Sequence, residues 1–113
     1  MELKNLFKFI SKQKTWLQQN YNITDNEKMI LAACVKVSEE FGELSEEILC
    51  NLGLVRKAKL EKHNKQTLRE EFADTLITLL ILGETLKIDI PQVLEDKINK
   101  INERNGLAKD WWK

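Results

Sequence analysis

Apolar residues recur along this chain at helical spacing, not at the alternating spacing of strands. Leu3, Leu6, Phe7, Ile10 and Leu17 fall on one stripe, which predicts a first helix over residues 2–20 before Asn20-Tyr21-Asn22 interrupts it. Ile30, Cys34, Val37, Phe41, Leu44 and Ile48 then step by four and three. That sustained stripe predicts a second helix with a core-facing side. Thr24 followed by Glu27 reads as its capping box, and it fades near Asn51-Leu52-Gly53. Residues 54–66 are basic and read as a helix extension or a loop. Thr67 followed by Glu70 reads as a second capping box, opening a third predicted helix from about Leu68 to Leu86. Its stretch Leu76–Leu82 is apolar nearly all round, which places it in the centre of the fold or in a subunit interface. Pro91 opens a fourth helix with the stripe Leu94, Ile98 and Ile101. Gly106 ends it, and Asp110-Trp111-Trp112-Lys113 forms a tail.

Composition narrows the class. With 113 residues the chain reads as one domain, 1–113, with one proline, four glycines, 32% charged and 42% hydrophobic residues. This favours an all-α fold over a turn-rich β fold. The expected architecture is an antiparallel four-helix bundle-like domain that oligomerises through the second or third helix, because a monomer of this size struggles to cover Leu76–Leu82. Eighteen basic and eighteen acidic residues cancel, with no basic stripe interleaved with aromatics, so no nucleic-acid polymer is expected as partner. The apolar run is far short of the ~20 residues of a membrane span. Residues 1–10 lack a signal-peptide core, so no membrane partner is expected and the compartment expected is the cytoplasm. Cys34, on the apolar stripe, is expected in the core. It and Cys50 are expected to be free thiols.

The chemistry lies in two carboxylate pairs. Glu40 and Glu43 stand three apart in Glu39-Glu40-Phe41-Gly42-Glu43, and Glu71 and Asp74 stand three apart in Glu71-Phe72-Ala73-Asp74. Residues three apart on a helix point the same way, so each pair can offer two oxygens to one hard cation. Taken at about 100° per residue, Glu40, Glu43 and Glu47 share a face with Lys36, and Thr67, Glu71, Asp74 and Thr78 share another. Both faces flank the apolar stripes. Carboxylates partly removed from water repel one another, and a cation relieves that cost. Asp74 sits mid-helix among apolar residues, where helix propensity does not explain it.

Glu39-Glu40-Phe41-Gly42-Glu43, then 27 intervening residues, then Glu71-Phe72-Ala73-Asp74-Thr75-Leu76 resembles the acidic signature of the MazG-like, all-α nucleoside triphosphate pyrophosphohydrolases. Lys97-Ile98-Asn99-Lys100-Ile101-Asn102-Glu103-Arg104 resembles that family's terminal element. The resemblance covers about residues 26–105, leaving 106–113 as a tail. It implies a homodimer or homotetramer and a nucleoside triphosphate substrate. It also implies Mg²⁺, for which Mn²⁺ can substitute, held by Glu40, Glu43, Glu71 and Asp74. The reaction implied is hydrolysis at the α-phosphorus to monophosphate and pyrophosphate, in the service of nucleotide-pool house-cleaning. Lys97, Lys100 and Arg104 would meet phosphate and Asn102 sugar or base; Glu39 is the neighbouring carboxylate available as base. Trp16 is the first-helix aromatic that would stack on the nucleobase. Packing is its competing role.

Two other readings stand beside this one. One is a phosphoribosyl-ATP pyrophosphohydrolase, whose helices carry a similar acidic pattern. The other is a helical oligomerisation or regulatory module without chemistry. Arg56, Lys57, Lys59, Lys62, Lys65 and Arg69 form a solvated face, a collar around the triphosphate, or an intersubunit contact with the acidic 39–47 segment. His63 lies alone among them, without a partner motif, and receives no role.

Overall fold

The computed structural model describes the backbone of residues 1–113 and every side chain except that of Lys65. The fold is all-α, with five helices: α1 (Leu3–Asn20), α2 (Asn26–Asn51), α3 (Lys57–Leu60), α4 (Lys65–Thr85) and α5 (Ile90–Arg104). The four long helices are those that the apolar periodicity predicts. The basic 54–66 segment becomes a loop containing the single-turn α3, with residues 65–66 joining α4.

Helix entry departs from the sequence expectation in the same way twice. Asp25, not Thr24, caps α2, its carboxylate accepting from the Glu27 N–H at 2.9 Å. Asn64, not Thr67, caps α4, its carbonyl accepting from the Thr67 N–H at 3.0 Å, so α4 starts at Lys65 rather than Leu68. In both places an Asx residue stands close to the threonine, and Asx side chains are the stronger caps. Asp89 caps α5 by accepting from the Gln92 N–H, with Pro91 in the first turn where its missing N–H costs nothing. Gly53 and Gly106 close α2 and α5 with φ of 72° and 73°, the left-handed turn that glycine adopts without strain.

α2 and α4 run antiparallel as the main helix pair, and α1 lies across α4. Ile10 from α1, Met29 from α2 and Ile81 from α4 form the core, with Leu6, Leu17, Ile23, Ile77 and Leu80 packed around them. α5 leans chiefly on α4. A β-carbon on Gly83 would come within 3.0 Å of Ile90 Cδ1, so glycine at 83 lets the start of α5 approach.

The expected core stripe of α2 is turned. The side facing α4 carries Met29, Ala33, Glu40 and Leu44. Phe41 is 60% exposed, Ile48 and Cys34 also face outward, and Ile30 and Val37 are half-buried. Cys34 is therefore not a core residue, whereas Cys50 is buried, and both are free thiols. On α4, Ile81 is buried but Leu76 and Leu79 are exposed beside Phe72. On α5, Leu94 is exposed while Ile98 and Ile101 are half-buried. Among the described residues no helix is long and apolar enough to cross a membrane.

Candidate metal centre and adjoining cavity

Antiparallel pairing of α2 and α4 brings the two acidic motifs level with each other. The Thr75 hydroxyl, 2.7 Å from the Glu71 carbonyl of its own helix, also lies 3.2 Å from the Glu40 carbonyl, which brings the helices into contact at the height of the cluster. Glu40, Glu43 and Glu71 each offer a carboxylate oxygen, and these oxygens lie within 4.8 Å of one another. Glu40 is buried, Glu71 half-buried and Glu43 exposed. Asp74 is exposed, one turn along α4, and lines the adjoining cavity with Glu40.

The cluster carries an electrostatic cost. Burial, a hydrogen bond shared with Glu40, and the negative charges of Glu43, Glu40 and Asp74 push the Glu71 carboxyl up to about 7. Oε2 of Glu40 and Oε2 of Glu71 are buried and find no hydrogen-bond partner among the described residues. A buried, unpaired carboxylate oxygen is expensive to maintain. The donor set is all oxygen and multiply anionic, which fits a hard divalent cation. Lys36, 3.3 Å from Glu40 and 3.4 Å from Glu39, supplies a positive charge beside the cluster. Its ammonium is raised above its usual value, first by the hydrogen bond to Glu40, with burial opposing.

A cavity of about 630 Å³ opens beside the cluster between α1, α2 and α4. Phe9, Gln13, Leu17 and Tyr21 line one side; Met29, Ala33, Ile77 and Ile81 form its floor; Lys36, Glu40, Asp74 and Thr78 mark its acidic edge. Such a mix of apolar walls and a few polar groups suits a small organic ligand.

The family model described as MazG-like matches residues 31–111, more than two thirds of the chain. The chain belongs to the MazG-like family. No curated protein and no solved structure matches it. Membership agrees with the all-α architecture and points to nucleotide pyrophosphohydrolase-type chemistry in general terms.

The remaining candidate residues of this MazG-like chain are scattered. Glu39 is exposed and hydrogen-bonds Lys36 outside the cluster. Trp16 is 51% exposed and does not line the cavity, whereas Phe9 and Tyr21 do. Lys97, Lys100 and Arg104 are exposed on α5, which contributes no residue to the cavity. Asn102 is buried, and its Nδ2 finds no partner among the described residues. The tail folds back on α5: the Trp112 indole N–H donates to Asn99 Oδ1 at 3.3 Å, and Asn99 Nδ2 donates to Asp110 Oδ1 at 3.2 Å.

Sequence reasoning missed three features. Gln13 and Tyr21 enter the cavity without belonging to a motif. Lys36 shares a face with Glu40, the one signal that marked it. His63 joins Glu47 through a contact 16 residues apart, which no local pattern reports.

Proposed function

We propose that this protein is a metal-dependent nucleoside triphosphate pyrophosphohydrolase that releases nucleoside monophosphate and pyrophosphate. The observation that carries the reading is the three-carboxylate cluster, two of its buried oxygens unpartnered, at the edge of a cavity wide enough for a nucleoside. Glu40, Glu43 and Glu71, joined by Asp74, would hold Mg²⁺ or Mn²⁺. Once bound, such an ion neutralises phosphate charge and polarises the α-phosphoryl group. Phe9 and Tyr21 offer aromatic faces to the base, and Gln13 offers one donor and one acceptor to its edge. Lys36 meets phosphate charge at the rim. Water attacks the α-phosphorus, the bond to the bridging oxygen breaks, and pyrophosphate leaves with that oxygen. Glu39, held by Lys36, is the candidate acceptor of the water's proton.

We also propose that the working unit is a homo-oligomer. The chain exposes 8791 Å² of surface, against roughly 6,400 Å² for a folded monomer of its mass. Its radius of gyration is 17.5 Å, against about 13 Å for a compact domain of this length. The excess, roughly 2,400 Å² per chain, is in the range that obligate homodimers bury. Phe41, Phe72, Leu76 and Leu79 give it the apolar character such an interface needs.

The test is product analysis with a panel of ribo- and deoxyribonucleoside triphosphates, with Mg²⁺ and with chelator. Monophosphate plus pyrophosphate, formed only with metal, is the expected result. Diphosphate plus inorganic phosphate would overturn it. Turnover of phosphoribosyl-ATP alone would transfer the chain to the histidine-synthesis type of pyrophosphohydrolase.

A further inference from the structure

Between the end of α2 and the start of α4, the connection from Leu52 to Asn64 is nearly all exposed; only Val55 and His63 turn inward. His63 goes deepest. Its Nδ1 lies 2.8 Å from Glu47 Oε2, and the two side chains are 10% and 19% exposed. The positions of the partners are informative. Glu47 is one helical turn beyond Glu43 on α2, and His63 immediately precedes Asn64, the residue that caps α4. Asn64 accepts from both the Thr67 N–H and the Thr67 hydroxyl at 3.0 Å. Thr67 in turn stands one turn before Glu71. The chain thus runs from a metal-motif helix, through one part-buried polar contact and one cap, straight into the other metal-motif helix. A second tie, the ion pair between Lys59 and Glu46, is exposed and adds little holding power.

We propose that Glu47 and His63 form a positioning latch that fixes the start of α4 against α2, and so sets how tightly the carboxylate cluster holds a divalent cation. The alternative is that the pair merely tacks down a surface loop. The geometry favours the latch. A tack for the loop would serve equally well anywhere along 52–62, whereas this contact falls at the joint that determines where α4 begins. Helix register matters here because Glu71 must meet Glu40 and Glu43 within a few ångströms, and groups that orient ligands without touching the metal typically govern affinity by 10–100-fold. His63 is a positioning residue in this scheme and touches neither metal nor substrate.

The inference rests on the metal reading above, so its test measures binding of Mn²⁺ alone to the full chain by calorimetry, without nucleotide. His63→Ala is expected to weaken Mn²⁺ binding about tenfold. His63→Asn, whose amide N–H can replace the Nδ1 donor, is expected to restore affinity to within about twofold of the parent. Glu47→Gln keeps an acceptor oxygen and is expected to resemble the parent, while Glu47→Ala is expected to resemble His63→Ala. The double variant H63A/E47A is expected to be no weaker than either alone, because the pair acts as a unit. Hydrogen exchange at the first amides of α4 is expected to quicken in H63A. If H63A does not fold, E47A against E47Q carries the comparison. Mn²⁺ affinity unchanged in H63A or E47A overturns the latch and leaves the metal centre standing. A parent chain that binds no Mn²⁺ overturns the metal centre itself, and the latch with it.

Discussion

Along α2 and α4, acidic residues from two distant motifs face one another across the helix pair that supplies most of the buried core. Along α5, the basic residues Lys97, Lys100 and Arg104 stay in solvent, on a helix that leans chiefly on one end of α4. Both regions belong to the same family-matched stretch, and the family resemblance implies a phosphate-binding task for the second. The difference lies in what each needs from the rest of the protein. Carboxylates at i and i+3 are gathered by helix geometry and by one antiparallel pairing, so a single chain completes them. Lysines and an arginine that grip a triphosphate need only reach it, and long side chains on an exposed helix can do so from a neighbouring chain. An exposed area well above that of a compact monomer agrees with a site shared in this way.

The sharpest way to break the comparison is to damage the acidic half. Glu71→Gln and Glu43→Gln each remove an anionic ligand without changing shape. Each is expected to lower kcat/KM about a hundredfold or more and to weaken Mn²⁺ binding in parallel. The melting temperature of the metal-free protein should hold or rise, since mutual repulsion is relieved. Activity equal to the parent in Glu43→Gln would remove it from the metal set.

How much of this could be read from the amino-acid sequence follows the same division. The helices and the paired carboxylates were legible because both are local patterns, repeated every three or four residues. The rotation of α2 was not. That helix has two apolar stripes that share Leu44, Ile30-Cys34-Val37-Phe41-Leu44-Ile48 and Met29-Ala33-Leu44, and periodicity finds the richer one first. In the fold the poorer stripe meets α4 and carries Glu40 into the seam, and Phe41 and Ile48 are left outside. The richer stripe facing outward is what an oligomer interface would leave on an isolated chain. The resemblance pointed to Trp16 as the base-stacking aromatic, yet Phe9, Gln13 and Leu17, four apart, form the row that faces the cavity. His63 had no readable role because its partner lies across a loop.

Damage to the basic half is expected to have a smaller effect of a different kind. Replacing Lys97, Lys100 and Arg104 together by alanine is expected to raise KM for the triphosphate about tenfold while leaving Mn²⁺ affinity near the parent's. Mixing this variant with Glu71→Gln, after dissociation and reassembly, tests where the two halves meet. Recovery of part of the parent activity is expected, since a mixed oligomer would contain one site with intact acidic and basic halves from different chains. A mixture no more active than its components would return α5's residues to their own chain's site, or remove them from it. Replacing Phe72 and Leu76 by charged residues should abolish the recovery by preventing reassembly, read directly by sedimentation as a shift towards monomer.

The smallest effect is a pH dependence confined to the acidic half. Glu71 titrates near 7 in the folded chain and near 4.5 when unfolded. Between those values the folded state binds the extra proton, so the stability of the metal-free protein falls as pH rises from about 4.5 to 7 and levels off above. The full shift would correspond to about 3 kcal/mol, and screening at a half-buried group reduces the expected loss to about 1–2 kcal/mol. Chemical denaturation in chelator at pH 5 and pH 8 should give the higher midpoint at pH 5. Glu71→Gln has no proton to lose, so its difference between the two pH values should shrink by that amount. Mg²⁺ or Mn²⁺ added at pH 8 should restore the parent's midpoint and leave that of Glu71→Gln much less changed. An equal pH difference in parent and variant would mean that the strain of the cluster is borne by other carboxylates than Glu71. The α5 triple variant should titrate like the parent, because its charges lie outside the cluster that creates the strain.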